Sequence, residues 1–382
     1  MNRRIEPPMI PFIDVAAQRR RLGKAIDGAV ARVLEHCQFM LGPEVKAFEQ
    51  ELATFCGARH AVGCASGTDA LVLALRAKGV GLGDAVFCPS FTFCATAEVV
   101  ALVGAVPVFV DVHAETFNMD ADGLAAAIGT AKRLGLVPKA VIPVDLFGLP
   151  ADHAAIAAVA QAENLWVLDD AAQAFGAGLG NRKLGTFGEM TATSFFPAKP
   201  LGCYGDGGAI LTDDDALADL LRSLRMHGQG SDRYDNVRIG LASRLDTIQA
   251  AVLREKLKIF PEEIAARNAI ARRYDDGLRD AAIVPRVPAG ASSVWAQYTI
   301  RVTGGRRDGL AAALKAEGIP SAIYYPIPLH RQQAYKHYPV GAGGVAISER
   351  LADEVISLPM HAYLDEATQA RIIDAVHRIL RT

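Results

Sequence analysis

Short apolar segments alternate with helix-like segments along the chain from about residue 60. Five of the apolar segments are typical of buried strands, being short, often rich in valine and bounded by Gly, Pro or Asp: HAVGCA, AVFCPS, VPVFVDV, KAVIPV and LWVLDD. The segments between them, such as TDALVLALRAKG and DHAAIAAVAQAEN, have helical spacing and an alanine-rich composition. This alternation predicts an α/β fold with a mainly parallel central sheet flanked by helices.

The pattern changes after residue 245. Before that point, TATSFF and GGAILT extend the predicted sheet. After it, two helical segments, DTIQAAVLREKLKIF and PEEIAARNAIARRYDDGLRD, precede a predicted strand, WAQYTIRV. We therefore expect a large domain at residues 1–245 and a smaller C-terminal α+β domain at residues 246–382.

The charge balance argues against several classes of partner. Forty basic and 42 acidic side chains give a net charge of −2, which favours neither nucleic acid nor an anionic membrane. No apolar run approaches a transmembrane span of ~20 residues, and the first residues lack the apolar core of a signal peptide, so we expect a cytoplasmic protein. The six cysteines form no Cys-x-x-Cys pair and no histidine lies at metal-ligand spacing, which predicts reduced thiols and no metal site.

Lys199 lies in an unusual setting for a lysine. Its segment, SFFPAKPLGCYGDGGAI, is apolar, contains prolines and glycines, and has no other charge until Asp206. Lysine normally keeps its ammonium group in water. Ligands of parallel α/β sheets bind at the carboxyl ends of strands, and Lys199 follows the predicted strand TATS by five residues. These features favour a functional amine over an ordinary surface lysine.

Three other segments carry polar or aromatic groups at predicted strand ends. In ASGTDAL, Gly67 and Thr68 begin a helix, where free N–H groups suit either a phosphate or an ordinary cap. In VLDDAAQAFG, Asp169 and Asp170 either cap a helix or keep a ring nitrogen protonated. In PSFTFCAT, Phe93 either packs in the core or covers a planar ligand.

Together with Lys199, these groups match the requirements of pyridoxal 5′-phosphate. The cofactor needs a phosphate site, an acid beside its pyridine nitrogen and an amine for a Schiff base. A lysine held as an imine needs no solvated ammonium. Once released near a cationic ring, its amine has a lowered pKa and can act as a base.

The chain resembles the DegT/DnrJ/EryC1/StrS sugar aminotransferases over nearly its whole length. The most specific motifs are VLDDAAQAFGA and SFFPAKPLGCYGDGGAI, which place Asp170 and Lys199 29 positions apart. The resemblance implies a fold-type-I, PLP-dependent enzyme that acts on nucleotide-linked keto-sugars. It implies that Lys199 binds the cofactor covalently, Asp170 pairs with the ring nitrogen and Gln173 contacts the ring hydroxyl. It further implies that Ser194, Gly67 and Thr68 hold the phosphate and that Phe93 stacks on the ring.

The resemblance also implies a substrate site shared between two chains of a homodimer. Arg244 would face the nucleotide sugar across the interface, and Tyr324, Tyr325 and His330 would line the sugar site. His227 and His361 belong to family motifs too, and for all three histidines a structural role stays open. Many relatives have asparagine where this chain has Ala242. The resemblance implies that this asparagine reaches the cofactor phosphate of the neighbouring chain, and we expect water or another side chain to take its place here.

The expected reaction is transfer of an amino group from L-glutamate to a nucleotide-linked keto-sugar. The pattern is closest to enzymes that aminate a UDP-linked 3-keto-hexuronic acid for O-antigen synthesis. Alternatives are amination of a keto-6-deoxy sugar at C4 or C3, sugar dehydration or deoxygenation, and a regulatory role. Relatives that dehydrate replace the lysine with histidine, so Lys199 argues against that reaction. A regulator would need a nucleic-acid-binding element, which the charge balance does not support.

Overall fold

The protein is described by a computed structural model covering residues 10–232 and 234–381. The strands are β1 (His60–Cys64), β2 (Asp84–Pro89), β3 (Val106–Val110), β4 (Val137–Val141), β5 (Trp166–Asp170), β6 (Gly178–Leu179), β7 (Arg182–Lys183), β8 (Met190–Ser194), β9 (Gly208–Thr212), β10 (Ala291–Ser292), β11 (Tyr298–Arg301) and β12 (Val355–Leu358). The helices are α1 (Val15–Leu22), α2 (Lys24–His36), α3 (Pro43–Cys56), α4 (Gly67–Ala77), α5 (Ala95–Leu102), α6 (Ala121–Arg133), α7 (His153–Ala162), α8 (Asp215–Leu224), α9 (Thr247–Leu278), α10 (Arg307–Ala316), α11 (Ala346–Glu354) and α12 (Glu366–Arg381).

The central sheet has seven strands in the order β1-β9-β8-β5-β4-β2-β3. Strands β3, β2, β4, β5 and β8 pair in parallel, whereas β9 runs antiparallel to both β8 and β1. The mainly parallel sheet predicted from the sequence is confirmed. The antiparallel strand β9 is the segment GGAILT, whose direction the sequence pattern does not specify.

Helices cover both faces of the sheet. Val86 and Ile142 pack in a core with α4, α5 and α8, while their neighbours Phe87 and Val141 pack in a second core with α6 and α7. Successive residues of a strand point to opposite faces, so a strand buried on both faces is apolar throughout. This explains the short continuous apolar segments in the sequence.

The long helix α9 joins two cores. The sequence pattern indicated two helical segments here, but the structure has one helix of 32 residues that continues through Pro261. Proline lacks an N–H and normally breaks a helix, but here the exposed Pro261 lies within the helix between the buried residues Phe260 and Glu263. Phe260 packs against α3, and Tyr274 packs with β11 and β12 in a separate core. The domain boundary at residue 245 stays a prediction.

Within the described ranges, the structure contains no helix both long enough and apolar enough to cross a membrane.

Candidate active site

A cavity of about 450 Å³ opens at the carboxyl ends of the parallel strands. Nine of the residues singled out in the sequence line it: Gly67, Thr68, Phe93, Asp170, Gln173, Ser194, Lys199, Tyr324 and Tyr325. They come from five separate parts of the chain, and the sheet brings them together because parallel strands end at the same edge.

The start of helix α4 forms one wall of the cavity. Ser66 caps the helix: its Oγ accepts a hydrogen bond from the N–H of Asp69 (3.0 Å), and its carbonyl accepts one from Ala70 (3.0 Å). The N–H groups of Gly67 and Thr68 make no hydrogen bond within the described residues and lie at the positive end of the helix dipole. This helix start can therefore bind a phosphate.

Asp170 lies at the end of β5 with its carboxylate held on both sides. Its Oδ2 accepts a hydrogen bond from Thr96 Oγ1 (3.0 Å), and its Oδ1 accepts one from the N–H of Ala172 (3.2 Å). Burial raises the pKa of Asp170, while these two hydrogen bonds and the charge of Lys199 oppose that effect. A fixed, buried carboxylate of this kind suits a cationic ring nitrogen.

Asp169 is the alternative carboxylate, and it does not line the cavity. It is fully buried, accepts a hydrogen bond from Thr191 Oγ1 (3.3 Å), and lies 3.7 Å from His153 Nε2. Adjacent strand residues point to opposite faces of the sheet, which explains why only one of the two aspartates faces the cavity.

Lys199 follows β8 in a turn that its own backbone stabilises. The N–H of Lys199 donates to the carbonyl of Phe196 at 2.8 Å. Burial lowers the pKa of the Lys199 amine, and the nearby charge of Asp170 partly opposes this effect. The amine is therefore neutral, and nucleophilic, at a lower pH than that of an ordinary lysine.

Gln173 connects the cavity wall to an aromatic group. Its Nε2 donates to the hydroxyl of Tyr325 at 3.0 Å, and its Oε1 accepts from the N–H of Phe147 at 2.8 Å. The Phe93 ring lies 6.3 Å from the Tyr325 ring, lines the cavity and is 52% exposed. Phe93 is thus free to cover a planar ligand.

Arg244 and His330 do not line the cavity. His330 Nδ1 pairs with Ser90 Oγ at 2.7 Å and Nε2 pairs with Glu349 Oε1 at 3.0 Å, so both ring nitrogens hold the fold together. Arg244 is partly buried, and its Nε has no hydrogen-bond partner among the described residues. A substrate role for either residue stays a prediction.

His227, His361 and Ala242 also lie outside the cavity. His227 and Ala242 are exposed, whereas His361 is buried in a small cavity of about 20 Å³ that Lys199 also lines.

The sequence reasoning missed Thr96. It lies in the segment PSFTFCAT, where Phe93 drew attention, but its hydrogen-bond partner is 74 residues further along the chain. No local pattern reveals such a contact.

Two relatives match almost the whole chain. A UDP-2-acetamido-2-deoxy-3-oxo-D-glucuronate aminotransferase from Pseudomonas aeruginosa is 47% identical over 361 residues, which covers 94% of this chain and 97% of the relative. A UDP-N-acetyl-3-dehydro-alpha-D-glucosamine 3-aminotransferase from Acidithiobacillus ferrooxidans is 43% identical over 383 residues, which covers 97% of this chain and 98% of the relative.

Solved structures share the fold. A DegT DnrJ EryC1 StrS aminotransferase from Brucella abortus superimposes with a TM-score of 0.96 at 54% identity, covering 98% of this chain and 100% of that chain. Ntda from Bacillus subtilis, solved with bound cofactor PMP, superimposes with a TM-score of 0.88 at 29% identity, covering 100% of this chain and 87% of that chain. The model of the DegT/DnrJ/EryC1/StrS aminotransferase family matches residues 20–377. The chain therefore belongs to the DegT/DnrJ/EryC1/StrS aminotransferase family.

Proposed function

We propose that this protein uses pyridoxal 5′-phosphate to move the amino group of L-glutamate to C3 of a UDP-linked 2-acetamido-3-keto-hexuronic acid. The observation that carries the proposal is the placement of Lys199, Asp170 and the start of α4 around one cavity. The product would serve the synthesis of O-antigen or a similar surface polysaccharide.

The residues around the cavity fit this cofactor. The free N–H groups of Gly67 and Thr68, with Ser194 beside them, suit its phosphate, and the buried carboxylate of Asp170 suits its ring nitrogen. PMP, bound in the Bacillus subtilis structure, is the aminated form of the same cofactor. When bound, the cofactor supplies an electron sink for the electron pair that stays on carbon when a C–H bond loses its proton.

The protein's own groups supply orientation and proton transfer. Lys199 would hold the cofactor covalently through its amine. Once released, that amine would act as a base toward the donor amino acid in one half-reaction and as an acid toward the sugar carbon in the other. Thr96 keeps the Asp170 carboxylate in place, and Gln173 holds the Tyr325 hydroxyl at the cavity wall.

The substrate proposal rests on what the two relatives share. Both act on a UDP-linked sugar, and both names place the oxo or dehydro group at C3. The more similar relative acts on a uronic acid, so we assign the uronate to this chain. L-glutamate as the amino donor follows from the family resemblance.

The active unit is a homodimer in this proposal, with Arg244 reaching the cavity of the neighbouring chain. Two observations support it. The Nε of Arg244 has no partner among the described residues of its own chain. The preceding loop also exposes Val237 and Ile239, whose side chains are 52% and 80% exposed, as expected of a surface that another chain covers.

A substrate panel tests the proposed reaction. Purified protein with PLP and L-glutamate is incubated separately with UDP-linked 3-keto-hexuronic acid, UDP-linked 3-keto-hexosamine and dTDP-linked 3-keto- and 4-keto-6-deoxy sugars. Mass analysis identifies the aminated product. We expect amination of the 3-keto-hexuronic acid with the highest kcat/KM. Preference for a keto-6-deoxy sugar would move the function to the alternative substrate, and loss of oxygen without gain of nitrogen would indicate dehydration.

A further inference from the structure

Three titratable side chains meet in the protein interior on the other side of β5 from the cavity. Asp145 and Asp169 are 0% exposed, and His153, at the start of α7, is 5% exposed. His153 Nε2 lies 2.9 Å from Asp145 Oδ1 and 3.7 Å from Asp169 Oδ1. We call these residues the Asp–His–Asp cluster. The proposed reaction assigns it no role.

Each of the two carboxyl groups in the cluster has one oxygen without a hydrogen-bond donor among the described residues. Asp145 Oδ1 accepts hydrogen bonds from His153 and from the N–H of Ala151 (2.7 Å), and Asp169 Oδ2 accepts one from Thr191. The remaining oxygens, Asp145 Oδ2 and Asp169 Oδ1, are buried without a partner among the described residues. One oxygen of Asp145 and one of Asp169 lie within 4.8 Å of each other and of a His153 ring nitrogen. A proton on one carboxyl group would turn one of these oxygens into a donor and give it the other carboxyl group as its acceptor.

The cluster fixes the segment 145–151, which touches the candidate active site. The Asp145 N–H donates to the carbonyl of Asp170 at 3.1 Å. At the other end of the segment, the Asp145 carboxylate accepts a hydrogen bond from the N–H of Ala151. Between these points, Phe147 has a φ of 59°, in the left-handed region that costs energy for a bulky residue. Its N–H holds Gln173 in place at 2.8 Å.

We propose that Asp145 and Asp169 share a proton at neutral pH and that, together with His153, they act as positioning residues. They hold the strained 145–151 segment and thereby orient Gln173 and the Asp170 backbone.

The electrostatic environment supports a retained proton. Burial raises the pKa of Asp145 to about 7 and raises that of Asp169 well above its usual value. The charge of Asp170, which follows Asp169 in β5, raises the pKa of both Asp145 and Asp169 further. His153, on α7, lowers the pKa of Asp169. The contacts from the other packed elements are neutral: the Thr191 hydroxyl on β8, and the Phe187 ring, which stacks on His153 at 5.1 Å.

Difference infrared spectroscopy of the full-length chain tests the shared proton. Asp169→Asn places an amide N–H where the proton would lie, so the variant should fold and keep its melting temperature while losing the carbonyl band of a protonated carboxylic acid. The matched control is Asp152→Asn, an exposed helix cap next to His153, which should keep the band.

Two results would overturn the proposal. One is the absence of a protonated-carboxyl band from the difference between wild type and Asp169→Asn at neutral pH. The other is a stoichiometric divalent metal that copurifies with wild type and is lost in Asp169→Asn, since the cluster would then be a metal site. Neither measurement depends on the proposed reaction.

The positioning role rests on the proposed function and has its own test. Asp169→Leu, which has similar size but no hydrogen-bonding group, should weaken PLP binding and lower kcat at least tenfold, with the KM for L-glutamate nearly unchanged. PLP binding is followed by the visible absorption of the bound cofactor. Asp169→Asn should restore both properties. Normal PLP affinity and turnover in a folded Asp169→Leu variant would refute the positioning role. If Asp169→Leu does not fold, the test is Asp169→Asn alone, and PLP affinity or turnover below that of wild type in Asp169→Asn would refute the role.

Discussion

Gly67 and Ser194 approach so closely that a Cβ atom on Gly67 would lie 2.6 Å from the Cβ of Ser194. Contacts this short do not occur between real side chains, so even alanine at residue 67 would push the start of α4 away from the end of β8. The two elements carry the groups that we assign to the cofactor phosphate. The absence of a side chain at Gly67 thus sets the width of the gap that we assign to the phosphate.

Gly67→Ala should weaken PLP binding about tenfold or more, because overpacking of this kind costs ~1–3 kcal/mol. The dissociation constant is measured by absorbance titration of the cofactor-free protein. The matched control is Gly309→Ala in α10, where a Cβ would meet nothing within 4 Å. PLP affinity equal to wild type in Gly67→Ala would show that the phosphate binds elsewhere.

Asp170→Asn should preserve the fold and slow proton transfer about 100-fold or more, because a neutral pyridine is a poorer electron sink than a protonated one. Loss of the label from glutamate deuterated at Cα measures this step directly. Near-wild-type exchange in Asp170→Asn would mean that the Asp170 carboxylate does not keep the ring nitrogen protonated.

In the cofactor-free protein, the lowered pKa of Lys199 should appear in the pH dependence of the reactivity of its amine. Burial disfavours the charged amine, and only the neutral amine reacts with an amine-selective acylating reagent. The pH at which Lys199 reacts at half its maximal rate should therefore lie below the ordinary lysine pKa of ~10.4. Asp170→Asn should move the midpoint lower still, since Asp170 is the group that favours the charged form. Peptide mass analysis follows the modification, with exposed Lys336 as the internal reference. A midpoint that rises in Asp170→Asn would contradict the assigned interaction.

Mixed dimers test whether Arg244 acts across the interface. Lys199→Ala and Arg244→Ala chains are each expected to be nearly inactive alone. After random mixing, half of the dimers contain one chain of each kind, and one of the two sites in each such dimer has both residues. Activity should therefore recover to about a quarter of wild type. If Arg244 instead serves its own chain, mixing should restore no activity.

The sequence predicted the elements better than their connections. The five segments from HAVGCA to LWVLDD all contain strands of the central sheet, because continuous apolar runs bounded by Gly, Pro or Asp are a local signal. The direction of β9 and the continuity of α9 through Pro261 depend on packing with distant parts of the chain, which no local pattern encodes.

The same distinction applies to the site. Lys199 and Asp170 stand out locally, since an amine in an apolar turn and a carboxylate at a strand end are both unusual. Thr96 and the Asp–His–Asp cluster do not, because an ordinary hydroxyl or histidine becomes informative only once folding brings its partner close. The motif position of His330 likewise gave no sign of its two contacts, to Ser90 and Glu349.

The most direct test of the proposed reaction follows one nitrogen atom. Wild-type protein with PLP is incubated with L-glutamate carrying an isotopically labelled amino nitrogen and with the UDP-linked 2-acetamido-3-keto-hexuronic acid, and the product is analysed by mass spectrometry. We predict that the label appears in the amino group of the sugar nucleotide, and that Lys199→Ala transfers none at a measurable rate. Transfer by Lys199→Ala at the wild-type rate, or no transfer by wild type to any nucleotide-linked keto-sugar, would contradict the account.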